Sequence, residues 1–309
     1  MEQQNISYII FETINNLLNN LLTSIDTTLY EVLDELVFID TNILKVPFFE
    51  KIFGTYSNNG LLLIANSLLI AFVIYYAVKL AYSSYTSQPI ESPRHFILKL
   101  LILGICINSS YFICEQFLNI NYLFSSSIQE LGQYIFDSSI SFAKLIEKLN
   151  IDIYSTSTNF NIFSFDGISK AFITISLFNL IFSYALRYIL VKLFVLLTPF
   201  SLLTLLNNST SWFFKSWIRC LFSLLIMQSF IALILLLIFS INFNSNTLSK
   251  LTYLGCIYAL VHINSYIRQL VGGISTEVSN NFGISASGIC TPVFSIWKTT
   301  DPFLENASI

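Results

Sequence analysis

Five long apolar stretches follow one another along the chain, separated by shorter polar segments. A helix that crosses a bilayer needs about 20 mostly apolar residues, and each stretch reaches that length. The stretches run over residues 61–82, 96–117, 168–206, 212–241 and 251–271. This pattern predicts an all-α integral membrane protein with about five transmembrane helices.

The third apolar stretch is longer than one crossing needs. As a straight helix it would measure about 58 Å at 1.5 Å per residue, whereas the hydrocarbon core is about 30 Å thick. Arg187 and Lys192 lie near its middle, and Pro199 interrupts it. Two interpretations stay open. In the first, a crossing ends near Arg187, and an interfacial or partly re-entrant segment broken at Pro199 follows. In the second, one long tilted helix carries its cations into a protein interior or a wet cavity.

The five predicted crossings fall into two groups, residues 61–117 and 168–271. Three other segments lie outside them. Residues 1–60 carry apolar side chains at helical spacing opposite an acidic and amide-rich face, which predicts an amphipathic helical region. Residues 118–167 begin with a broken helical pattern and continue as a loop, while the tail, 272–309, is polar and rich in small residues. Lys and Arg concentrate after the first and third stretches. The positive-inside rule therefore places the N-terminus and residues 118–167 outside and the tail in the cytoplasm.

The composition points to lipid as the solvent of much of this chain. Hydrophobic residues make up 54% and charged residues 11%, against about 25% charged in an ordinary soluble domain. No run of Lys and Arg exists that would form a basic nucleic-acid-binding surface. The five cysteines include no C-x-x-C pair, and the two histidines, His95 and His262, stand alone. We therefore predict no catalytic residue, no metal site and no cofactor, and for His262 hydrogen-bonded packing is favoured over a proton relay.

A polar turn between the third and fourth stretches carries an unusual cluster of aromatic and cationic residues. Pro199 breaks the helix before the turn, which covers residues 207–211. Trp212 and Trp217 are predicted to anchor at the headgroup level, and Lys215 and Arg219 to extend toward anionic headgroups. A second interpretation is that the cations near this face, Arg187, Lys192, Lys215 and Arg219, line an entry for a polyanion. The membrane-boundary interpretation is favoured, because it accounts for the same residues.

The order of these features resembles the TrbL family of polytopic membrane subunits of type IV secretion systems. Residues 198–200, Thr-Pro-Phe, match the family's Ala-Pro-hydrophobic step, and residues 207–211 match its polar turn. Phe213 to Trp217 match the aromatic-Gly-Trp step, with Arg219 at the basic position that follows. Thr198 and Ser216 depart from the family's usual Ala and Gly. The motif residues are Pro199, Trp212, Phe213, Trp217 and Arg219.

The resemblance implies a non-catalytic structural or channel subunit of a conjugative DNA- or protein-transfer apparatus in the cytoplasmic membrane. Such a subunit would be present in several copies, with other envelope subunits and partner ATPases around it. Translocated single-stranded DNA or protein would make transient contact with it. The alternative function is a polytopic small-molecule transporter with its site at the broken third helix. A membrane enzyme is disfavoured, because the sequence offers no persuasive catalytic constellation.

Overall fold

The computed structural model describes residues 9–10, 12–13, 27–54, 60–86, 92–149, 165–243 and 246–271, and every regular element in these ranges is a helix. The first half contains α1 (Thr27–Val37), α2 (Pro47–Phe53), α3 (Leu61–Thr86), α4 (Pro93–Asn108) and α5 (Ser110–Phe136). The second half contains α6 (Phe142–Leu149), α7 (Phe165–Leu196), α8 (Thr198–Leu203), α9 (Ser211–Ser240) and α10 (Thr247–Val271). The predicted loop after residue 149 and the predicted tail, 272–309, lie outside the described residues.

Several of these helices are long and apolar enough to cross a membrane. In the described chain they are Leu61–Thr86, Gly167–Leu196 and Ser211–Ser240, and α4 with α5 makes a fourth if that bent pair is one crossing. The predicted all-helical class is confirmed for the described residues, and the lengths are compatible with a multi-pass membrane protein. The count of five is not reached by this measure, because α10 carries more polar residues than the others.

The long third stretch forms a single helix that passes through Arg187 without interruption. Helix α7 ends at Leu196, and α8 begins at Thr198 with Pro199 in its first turn. Proline has no N–H to donate back along the helix, so the break falls just before it. The helix therefore continues for nine residues past Arg187, the position at which the first interpretation ended the crossing. The break at Pro199, which that same interpretation required, is present.

The second stretch is bent, and its helix continues further than predicted. Helices α4 and α5 meet at Ser109 with an angle of 62°. We predicted the end of this helix near Phe117, but α5 continues to Phe136. Its buried residues fall on one face, and several of them are small: Ser110, Cys114, Leu118, Ser125 and Gly132. Small side chains let the backbones of packed helices approach closely, and this face lies against α9.

Helix α9 forms the centre of the bundle. Contacts of Arg187 with Leu224 and of Trp217 with Phe194 show that α7 and α9 are antiparallel. Helix α5 runs parallel to α9, since Ser125 contacts Gln228 and the Phe136 ring lies 6.4 Å from that of Phe239. Residues 118–136 therefore lie beside the most apolar helix along its length. Their place in a connection outside the crossings stays a prediction, although this part of the connection is a packed helix.

Helices α3 and α4 form an antiparallel hairpin at one end of this bundle. The amides of Asn66 and Asn108 bond to each other, and the rings of Tyr76 and Phe96 stack 3.7 Å apart. Ala65 is the only buried residue of α3, and it shares a hydrophobic cluster with Leu206. The start of α3 thus packs beside the chain that leads into the 207–210 turn, although the predicted topology assigned the two to opposite faces of the membrane.

Residues 27–53, which we call the N-terminal strap, lie along the side of the bundle. Seven of its apolar residues are buried against α5, α6, α7 and α9: Leu33, Val37, Ile39, Ile43, Leu44, Phe49 and Phe53. The Asp34 carboxylate accepts hydrogen bonds from the backbone N–H groups of Phe142, at 2.7 Å, and Ala143, at 3.2 Å. Asp34 therefore caps the start of α6, whose first N–H groups have no partner within their own helix.

Candidate functional site: a buried arginine at the centre of the bundle

Arg187 is the most unusual residue of the bundle, because its charged side chain has no exposed surface. Its Nε donates a hydrogen bond of 2.8 Å to the carbonyl oxygen of Leu224 in α9. Its Nη1 donates another, also of 2.8 Å, to the carbonyl oxygen of Val37 in α1. Its Nη2 has no hydrogen-bond partner within the described chain. One guanidinium thus joins three separate parts of the fold.

The carbonyl oxygen of Val37 is a suitable partner for a cation, because Val37 is the last residue of α1. The last four carbonyl groups of a helix have no partner within it, and they carry the negative end of the helix dipole. Arg187 forms no ion pair with a carboxylate of the described residues. An unpaired buried charge is costly, and here carbonyl dipoles supply the compensation that an acidic residue would usually give.

Tyr184, one turn before Arg187, extends the same set of contacts to α10. Its ring is buried, and its hydroxyl donates a hydrogen bond of 3.3 Å to the carbonyl oxygen of Leu260. Its ring also meets the edge of Phe142 at the start of α6. One face of α7 therefore holds α1, α6, α9 and α10 together.

A second buried polar group joins α5 to α9. Gln228 is fully buried and lies one turn beyond Leu224. Its Nε2 donates to the Ser125 hydroxyl at 2.7 Å, and its Oε1 accepts from the Asn121 amide at 3.0 Å. Interhelical hydrogen bonds of this kind hold helices together in membranes. Sequence analysis missed this group, although an amide inside the long apolar run of residues 212–241 was a signal that could have found it.

The break at Pro199 is closed by side chains of the chain itself. The hydroxyl of Thr198 lies 3.0 Å from the sulfur of Cys114 and also donates to the carbonyl oxygen of Phe194. The indole N–H of Trp217 donates to that same oxygen at 2.9 Å. A helix break usually leaves backbone groups without partners, and these contacts supply partners at this one.

The two tryptophans of the motif occupy different environments. Trp212 is half-exposed at 50%, as a ring at the headgroup level would be, whereas Trp217 is only 4% exposed. The prediction that Trp217 anchors at the interface is wrong. Five residues along a helix turn the side chain by about 140°, so Trp217 points into the bundle when Trp212 points out. Pro199 is buried, and Phe213 is partly buried beside Trp212.

The four cations near the predicted inner face do not share one environment. Lys215 and Arg219 are exposed on the first turns of α9. Lys192 is partly buried, and its Nζ lies 4.5 Å from the centre of the Tyr188 ring. Arg187 is enclosed in the bundle and has no surface to present to a passing polymer. Of the four cations that could line a path, Lys215 and Arg219 are therefore the exposed ones.

The described chain contains no group of three or more His, Cys, Asp or Glu side chains placed to hold a metal ion. Buried polar contacts instead join helices to each other, through Arg187, Tyr184, Gln228 and Thr198. Such an arrangement positions helices and exposes cations at one end of the bundle. Comparisons with protein-family models, with curated proteins and with solved structures found no match.

Proposed function

We propose that this chain is a non-catalytic structural or channel subunit of a type IV secretion apparatus in a cytoplasmic membrane. In this proposal the N-terminus is outside, the C-terminus is cytoplasmic, and the chain crosses the bilayer five times. The cargo is single-stranded DNA or protein.

The proposal rests on the structure of the segment that resembles the TrbL family. Residues 197–219 form a corner between helices that side-chain contacts hold in place. Thr198 contacts Cys114, and Trp217 donates to the Phe194 carbonyl. The same segment presents Lys215 and Arg219 on its outer surface. A rigid corner with outward cations at the cytoplasmic end suits a subunit that meets partner proteins or a polyanionic cargo there.

The polar groups inside the bundle also fit a scaffold better than a transporter. A transporter of the kind considered from the sequence would need unpaired backbone or side-chain groups at its broken helix to bind a substrate. At Pro199 the side chains of Thr198 and Trp217 already pair with protein atoms. The partners that we propose are other envelope subunits, further copies of this chain and the ATPases that drive transfer.

Deletion of the gene in the strain of origin, with complementation, tests this function. We expect deletion to abolish transfer of a marked DNA element or secreted protein, and the wild-type gene to restore it. The double variant Lys215→Ala with Arg219→Ala should complement poorly, because it removes the outward cations of the corner. The matched control is Lys144→Ala, an exposed cation on α6 at the opposite end of the bundle. Normal transfer in the deletion strain would contradict the proposal.

A further inference from the structure

One face of α10 is polar although it points away from the bundle. Five of its residues, which we call the polar face of α10, are Thr252, Gly255, Tyr258, His262 and Tyr266. They recur every three or four residues, so they share one side of the helix. The opposite side is buried against α7 and α9 through Tyr253, Ile257, Leu260, Ile263 and Ile267. The polar face therefore looks outward along the middle of the helix.

The outward face of α7 provides a comparison at the same depth. Helices α7 and α10 are each antiparallel to α9, since α9 turns back into α10 through the short connection around Phe243, whose ring contacts Tyr253. The bond from Tyr184 to the Leu260 carbonyl sets their relative height. At this height the exposed residues of α7 are all apolar: Ile175, Phe178, Phe182, Leu186 and Ile189. Lipid chains suit that surface of α7.

Lipid does not suit the polar face of α10. Hydroxyl and imidazole groups in hydrocarbon need hydrogen-bond partners. His262 uses its Nδ1 to donate to the Tyr258 carbonyl at 3.1 Å, and its ring stacks on that of Tyr258, which leaves Nε2 as the acceptor of the neutral imidazole. A Cβ atom at Gly255 would have no atom within 4 Å, so this part of the face is open to a close neighbour. Small residues beside polar ones are what helix pairs in membranes use to pack.

We propose that a second copy of this chain covers the polar face of α10, in a symmetric α10-to-α10 contact. The face carries no formal charge when His262 is neutral, so two copies meet without like-charge repulsion. It also carries both hydrogen-bond donors and a hydrogen-bond acceptor. The hydroxyls of Tyr258 and Tyr266, one turn on either side of His262, are donors for the imidazole acceptor of the facing copy. In a two-fold contact the same patch serves both copies.

The inference needs α10 to lie in the membrane, and it specifies the homo-oligomer of the proposed function. Its test is disulfide formation in native membranes, in a background without the five native cysteines. Gly255→Cys and Ala259→Cys place single thiols on or beside the polar face of α10, and Phe182→Cys places one on the outward face of α7. Mild oxidation should shift the first two variants from 35.2 kDa to twice that mass on a non-reducing gel, and leave Phe182→Cys unshifted.

Three results would overturn this contact. One is the absence of a covalent dimer in both α10 variants, although both are present in the membrane at the level of Phe182→Cys. Another is a crosslinked product of a mass other than twice that of the chain, which would show a different protein on this face. The last is labelling of both thiols by a charged, water-soluble maleimide, which would show a water-filled path. If the covalent dimer forms but deletion of the gene does not impair transfer, the contact between two copies stands and the proposed secretion function does not.

Discussion

The guanidinium of Arg187 donates a hydrogen bond to the carbonyl oxygen of Val37, 2.8 Å away, across 150 residues of sequence. This contact joins the long helix α7 to the end of α1 in the N-terminal strap. The side chain is fully buried, and its other bond reaches α9. The position of the strap therefore depends on a cation that the sequence places in the middle of an apolar run.

Replacing Arg187 with Met should loosen the strap more than the bundle. A hydrogen bond to a charged group contributes about 1.5–3 kcal/mol, so hydrogen exchange in α1 should become about ten- to a hundredfold faster. Exchange in α9 should change much less, because Met fills the space of the removed side chain. Lys192→Met is the control, since Lys192 makes a ring contact and no hydrogen bond to a backbone group of the described residues. Unchanged exchange in α1 would show that Arg187 does not hold the strap.

Asp34→Ala should destabilise α6, because it removes the acceptor for the first two N–H groups of that helix. Loss of a helix cap costs about 0.5–2 kcal/mol. The midpoint of thermal unfolding in a mild detergent should fall, and exchange of the Phe142 and Ala143 amides should accelerate. Glu35→Ala, the exposed neighbour on α1, is the control and should leave both measurements unchanged. Equal effects of the two variants would show that Asp34 does not cap α6.

Trp217→Phe should destabilise the protein, while Trp212→Phe should have little effect. Trp217 is buried and donates to the Phe194 carbonyl beside the helix break, whereas Trp212 is half-exposed. The lost hydrogen bond and the cavity together should cost about 1–3 kcal/mol of unfolding free energy. The midpoint of thermal unfolding distinguishes the variants, and a larger loss from Trp212→Phe would contradict the burial of Trp217.

Gly132→Ala should be more harmful than Gly104→Ala, although both add one methyl to a helix. A Cβ at Gly132 would collide with the side chain of Ile140, which packs over that point of α5. At Gly104 the nearest atom is Leu69 Cδ1 at 3.8 Å, an ordinary contact. Alanine is the better helix former by about 1 kcal/mol, so Gly104→Ala should be neutral or stabilising. Thermal unfolding of both variants in the same detergent provides the comparison, and a stabilised Gly132→Ala would contradict the packing of α5.

The length and apolarity of the helices could be predicted from the sequence, and so could the break at Pro199. The burial of Trp217 could not, because the choice between an interfacial ring and a packed one depends on which face of α9 meets α7. The burial of Arg187 was one of two interpretations that the sequence left open. The continuation of α5 past Phe117 was hidden by its serines and glycine. Those small residues interrupt the apolar helical pattern of this segment, yet they are the residues that allow close packing against α9.

The hydrogen-bond partners of Arg187 could not be predicted from the sequence either, for a different reason. Its acceptors are backbone carbonyl oxygens of Leu224 and Val37, and a backbone acceptor leaves no signature in the choice of side chain. The sequence could show that a cation lies inside an apolar run and that it needs a compensating partner. It could not show that a helix end would provide that partner.

If α5 and α9 cross the membrane side by side, two exposed serines should face opposite sides of it. Ser139 follows α5 and Ser209 precedes α9, so the two lie at opposite ends of the same helix pair. In the cysteine-free background, a membrane-impermeant maleimide should label Ser139→Cys on intact cells and label Ser209→Cys only after the membrane is opened. Labelling of both thiols on intact cells, or of neither until the membrane is opened, would contradict the account.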